Sequence, residues 1–109
     1  MQIHIHAPEP LVPDVIRARA EFGVRKLARR LSGATEATVK FDTDGGPRSV
    51  EVMLHAPGHR PLVARAAARH FGAALRDALA ALQQQITHSK RTRKELGREV
   101  ATETRALPA

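Results

Sequence analysis

The side chains of this chain best suited to chemistry are cations spaced along two helical stretches. Arg19, Arg25, Lys26, Arg29 and Arg30 stand in the first stretch, and His88, Lys90, Arg91, Arg93 and Lys94 in the second. At 100° per residue, Arg19, Lys26 and Arg30 form one line beside the apolar stripe of the first helix, and Arg25 and Arg29 form another farther round. A guanidinium forks onto phosphate oxygens and an ammonium acts as a point charge, so a set of them anchors to a polyanion by releasing its counterions. The competing reading is a solvated helix surface, since Arg is also a good helix former. Only Glu21 supplies an acid between Asp14 and Glu36, which favours contact with nucleic acid.

Histidine offers the other candidate chemistry. His4 and His6 share one side of a short strand, and His55 and His59 flank a turn, which are residue types that ligate metals. Alternation puts the first pair on an open sheet face, and no carboxylate is spaced to complete a shell. The expectation is therefore no metal and no cofactor. A nucleophile elbow, a phosphate-binding loop and paired acids in a recognisable motif are all missing from the sequence. An enzyme with a small-molecule substrate is accordingly not expected.

Those groups need elements to position them. Ile3 and Ile5 alternate with polar neighbours as a strand does, and Pro8, Pro10 and Pro13 end it. Asp14 is placed to cap a helix over about 14–31, with Ile16, Ala20, Gly23, Val24, Leu27 and Leu31 at helical spacing and Ser32-Gly33 as its stop. The period then changes to two. Ala37, Val39 and Phe41 face one way on a second strand; Asp44-Gly45-Gly46-Pro47 turns the chain; Val50, Val52 and Leu54 form a third. Pro57-Gly58 suits the centre of a type II turn before a fourth strand with Leu62, Ala64 and Ala66. A last helix from about Arg69 buries Phe71, Leu75, Ala78, Leu79, Leu82 and Ile86.

The order β-α-β-β-β-α predicts an α+β domain in which two helices cover one face of a four-stranded mixed sheet. Strands two to four are antiparallel, and strand one reaches strand two through a helix and can pair with it in parallel. Thr38, Lys40, Ser49, Glu51 and Val63 lie on the other, solvated face. Residues 1–89 form the domain. Residues 90–109 form a basic extension, either a helix continuing past Ser89 or an unstructured tail that ends in Leu107-Pro108-Ala109.

Composition agrees with a polyanion partner. Among 109 residues, 18 Lys and Arg stand against 11 Asp and Glu, for a net charge of +7. Three Phe, with no Tyr or Trp, leave few rings for stacking on unpaired bases, so contact should be mainly with phosphates. With no Cys there is no disulfide, thiolate nucleophile or cysteine zinc site. No leader-like amino terminus and no apolar run of about 20 residues is present, so a cytoplasmic protein without membrane contact is expected.

Several stretches carry a family likeness: Met1-Gln2-Ile3-His4-Ile5, Asp14-Val15-Ile16-Arg17, Lys26-Leu27, Val50-Glu51-Val52-Met53-Leu54, Ala73-Ala74-Leu75, Leu82, and Gln85-Ile86-Thr87-His88-Ser89-Lys90. Over roughly residues 1–94 the chain resembles the ribosome hibernation promoting factor family. This family is also called the sigma-54 modulation or ribosome-associated inhibitor family, and the resemblance is to its short, single-domain form. It implies a partner in the small ribosomal subunit and its rRNA: members occupy the decoding region, where mRNA and tRNA would sit, and hold ribosomes inactive during starvation. Longer members add a carboxyl-terminal domain that joins two ribosomes; this chain ends before one could fit, and its oligomeric state is open. The chain departs from the pattern at Ala81 and Gln84, often basic in relatives, at Arg76, usually acidic, and at Gly72, often aromatic. Its basic contribution has moved toward the end of the helix.

Three function classes follow. The first is a translation inhibitor that blocks the decoding channel. The second is a stand-alone double-stranded RNA-binding module, whose α-β-β-β-α order is similar but lacks the strand at residues 2–6. The third is a protein-assembly module whose charge only confers solubility. Steep salt dependence separates the RNA binders from the third.

Overall fold

Short connections decide the strand order. In the computed structural model, which describes residues 1–8, 11–31, 33–43, 46–58 and 60–106, with side chains through Ser89, six elements follow one another. They are β1 (Gln2–His6), α1 (Asp14–Ala28), β2 (Glu36–Asp42), β3 (Arg48–His55), β4 (Leu62–Ala68) and α2 (Phe71–Ala106). The sheet runs β1-β2-β3-β4. Pairing is antiparallel from β2 to β3 and from β3 to β4, whose connections are too short for a crossover. β1, joined to β2 through α1, pairs with it in parallel from Gln2 opposite Glu36 to His6 opposite Lys40. The fold is the expected α+β arrangement.

Alternation along the strands turns Ala37, Val39, Phe41, Val50, Val52 and Leu54 into one core with Val24 of α1 and Leu75, Leu82 and Ile86 of α2. Phe41 and Phe71 meet edge to face with ring centres 5.4 Å apart, and the Arg48 guanidinium lies 5.5 Å from the centre of the Phe71 ring. Arg48 also donates to the carbonyl of Arg69 at 2.8 Å, which ties the start of α2 to β3. Gln85 of α2 donates to the Val63 carbonyl of β4 at 2.6 Å, so the helix supplies a partner to a backbone oxygen of the edge strand. With 36 residues, α2 is about 54 Å long, longer than any strand it covers.

Four local expectations are corrected. Pro13, not Asp14, is the residue before the helix, and no side chain caps it. Proline lacks an N–H, but its carbonyl accepts from Ile16 and Arg17, so Asp14 becomes the first helical residue and its charge faces the positive helix end. The helix stops at Ala28, not Leu31, because the chain tightens into three-residue bonds from Arg30 to Leu27 and from Leu31 to Ala28. Ser49, expected in solvent, is buried and donates a long 3.4 Å bond to the Asp42 carbonyl. Leu79 is only partly buried, because it stands at the helix crossing described below. Gly58, at φ +77°, takes the left-handed conformation that the second central position of a type II turn requires. The expected turn residues Asp44 and Gly45, together with Pro10, Ser32, His59 and the final Leu107-Pro108-Ala109, lie outside the described residues. Among the described residues no helix is long and apolar enough to cross a membrane.

Candidate nucleic-acid interface

Leu79 of α2 packs over Gly23 of α1, a position with no side chain. A Cβ on Gly23 would stand 2.6 Å from Leu79 Cδ1, nearer than carbon atoms pack, so a larger residue there would require the end of the Leu79 side chain to turn aside. Alongside the crossing a groove of about 800 Å³ opens between the helices. Gly23, Leu27, Leu75 and Leu79 give it an apolar floor; Arg19, Lys26 and Arg30 line it from the first helix and its following turn, and Arg76 from α2. At one end Gly72 leaves space, since a Cβ there would only touch Ile16 Cδ1 at 3.6 Å and Arg19 Nη1 at 3.9 Å.

The structure divides the expected site residues. Arg19, Lys26 and Arg30 come together on the groove, although Arg30 reaches it from the tightened turn rather than from the helix. Arg25 points away and forks onto Glu21 at 3.0 and 3.3 Å, an exposed i,i+4 pair. Arg29 caps the helix, is exposed and is not part of the groove wall. His88 lines a smaller depression of about 450 Å³ that shares Ala80 and Gln83 with the groove, so the two adjoin along α2. The side chains of Lys90, Arg91, Arg93 and Lys94 lie outside the described residues.

Sequence reasoning missed three contributors. Phe22, 72% exposed, forms part of the groove wall although it belongs to no apolar stripe. Its signal was an aromatic residue off the stripe in an Arg-rich helix. Arg76, read only as a departure from a family pattern, and His70, read as a surface residue, also line the groove. Only the crossing of α1 and α2 brings them to the first-helix cations.

The open sheet face carries charge of a different kind. The register sets Glu51 directly opposite Lys40 on one side and Arg65 on the other, and these with His6 line a depression of about 610 Å³. His4 Nε2 lies 3.2 Å from Glu36 Oε1, an ion pair only when the imidazole is protonated. Glu36 is thus the carboxylate near a histidine that spacing along one strand could not reveal. Among the described residues no three His, Asp or Glu side chains converge as ligands for a metal ion.

These features define a single four-stranded α+β domain with a cationic groove between its helices. The pattern of the sigma 54 modulation protein / S30EA ribosomal protein family matches residues 3–94, and the chain belongs to that family. Among solved structures, it is similar to the N-terminal domain of Thermus thermophilus Protein Y, with 22% identity, a TM-score of 0.64, and coverage of 80% of this chain and 93% of that one. It is also similar to a ribosomal subunit interface protein from Coxiella burnetii, with 18% identity, a TM-score of 0.64, and coverage of 84% and 99%. At these identities the likeness establishes the fold. No curated protein matches the sequence.

Proposed function

We propose that this protein binds the small ribosomal subunit, lies along rRNA in the decoding channel through its basic helix faces, and keeps mRNA and tRNA out while ribosomes are idle. The observation that carries this reading is the groove, where Arg19, Lys26, Arg30 and Arg76 surround an apolar floor and no carboxylate is among the lining residues. Membership of the sigma 54 modulation / S30EA ribosomal protein family supports a ribosomal partner for that cationic surface, and one structural neighbour is by name a ribosomal subunit interface protein. Residues 1–89 act as the binding domain; Lys90, Arg91, Arg93 and Lys94 extend its charge along rRNA, and His88 contacts phosphate. Inhibition is steric and requires neither cofactor nor metal. The protein works in the cytoplasm, where its partner is.

The test is co-sedimentation of the purified protein with isolated small subunits at near-physiological salt, with and without mRNA and tRNA. Near-stoichiometric binding that the competitors reduce is expected. Reversing charge at Arg25, Lys26, Arg29 and Arg30 together should abolish association in a still-folded protein. Absence of the wild type from the ribosomal fraction would sink the reading and leave the free RNA-binding or protein-assembly classes.

A further inference from the structure

We propose that Phe22 is the stacking surface for one unpaired base of the RNA bound by the helix face, with the cations beside it holding the flanking phosphates. The inference rests on the ribosome-binding reading above and adds the part of the RNA that is recognised. The chain has three phenylalanines, and two of them, Phe41 and Phe71, are locked edge to face in the core. The third stands 72% exposed on α1. At 100° per residue, Phe22 projects between Lys26 on the groove side and Arg29 on the other, with Arg25 beyond Arg29 and held by Glu21. It is also part of the groove wall, beside the apolar floor at Gly23 and Leu79.

A ligand complementary to this arrangement has a flat apolar face for the ring, negative charge beside it for the cations, and a polar edge for Gln83, which lines the same groove. A nucleotide has all three. Bases within a duplex present no free face to a side chain, so a ring in this position selects a nucleotide in a loop, a bulge or an end. One ring among many cations suits one base within a phosphate-dominated contact, and the surrounding guanidiniums add cation–π attraction. An acidic protein segment would satisfy the charges but would use the ring only as generic apolar area, and the experiment distinguishes the two.

Binding of wild type, Phe22→Ala, Phe22→Leu and Phe22→Trp to isolated small subunits would be measured over a range of salt concentrations, with folding checked by circular dichroism. Loss of a base stack corresponds to a drop of about 5- to 150-fold in affinity for Phe22→Ala. The salt slope should not change, because no charge is removed. Phe22→Leu should lose affinity as Phe22→Ala does, whereas Phe22→Trp, which introduces the sole indole of the chain, should bind like wild type with its emission quenched by the base. Wild-type affinity in Phe22→Ala or Phe22→Leu would overturn the proposal. So would brightened, blue-shifted emission from Phe22→Trp, or self-association of the free protein that Phe22→Ala abolishes. A second arm uses two hairpin RNAs that differ by one bulged adenosine. If the wild type fails to bind subunits, the ribosome reading falls, and a preference for the bulged hairpin that Phe22→Ala erases still supports stacking; equal binding to both hairpins overturns it.

Discussion

The two concave surfaces of this domain contain similar residue types and differ in how the charges meet. On the open sheet face, the strand register sets Glu51 between Lys40 and Arg65, and His4 beside Glu36. In the helix groove, Arg19, Lys26, Arg30 and Arg76 share the walls with no acid. Opposite charges directly across a strand pair stabilise the sheet modestly and leave little net field outside. Like charges across a groove instead repel one another, and a polyanion relieves that repulsion. On this reasoning, affinity for a polyanion should follow the local balance of sign, not the number of cations.

The sharpest way to break this comparison is to reverse charges on each surface in turn. Arg19→Glu, Lys26→Glu and Arg30→Glu together should weaken small-subunit association by on the order of 100-fold at physiological salt and flatten its salt dependence. Lys40→Glu with Arg65→Glu should change it by less than about threefold. Equal losses in co-sedimentation would show that both faces touch the ribosome.

A smaller effect, on stability, tests the crossing that shapes the groove. Gly23→Leu must displace the Leu79 side chain and overfill the space between the helices, with an expected cost of about 1–3 kcal/mol in chemical denaturation. An unchanged midpoint would mean that the crossing is not tight. On the sheet, Glu51→Lys would align three cations across β2, β3 and β4 and should destabilise the fold by about 1 kcal/mol. The same variant should give the sheet face a new, salt-sensitive affinity for plain duplex RNA in a gel-shift titration. The smallest expected change is at Glu21→Gln. Releasing Arg25 should cost about 0.3–0.5 kcal/mol of stability and tighten subunit binding by roughly twofold.

Much of the fold was legible because its signals are local. Alternation at Ala37, Val39 and Phe41 marks β2 without reference to any other element, and Pro57-Gly58 marks its turn by backbone preference alone. The errors came where one residue type serves two roles. Asp14 has the chemistry of a cap, but the carbonyl of Pro13 took that place, and Leu31 continued the apolar spacing although the backbone had already tightened after Ala28. The candidate site was half legible. The wheel placed Arg19 and Lys26 on one line, and the i,i+4 spacing of Glu21 and Arg25 offered a pair that went unread, but nothing local could tell that Arg76 and His70 would stand across from them.

From the sequence alone came the element order, the direction of each apolar face and the excess of positive charge, because each depends on neighbours within a few residues or on composition. Tertiary structure decided which charges face an opposite charge and which share a surface with no acid. Lys40 stands opposite Glu51 through strand register, and Arg76 lines one groove with Lys26 where the two helices lie side by side. Both are relations between different elements, set by hairpin register in one case and by helix packing in the other, and no periodicity within either element contains them.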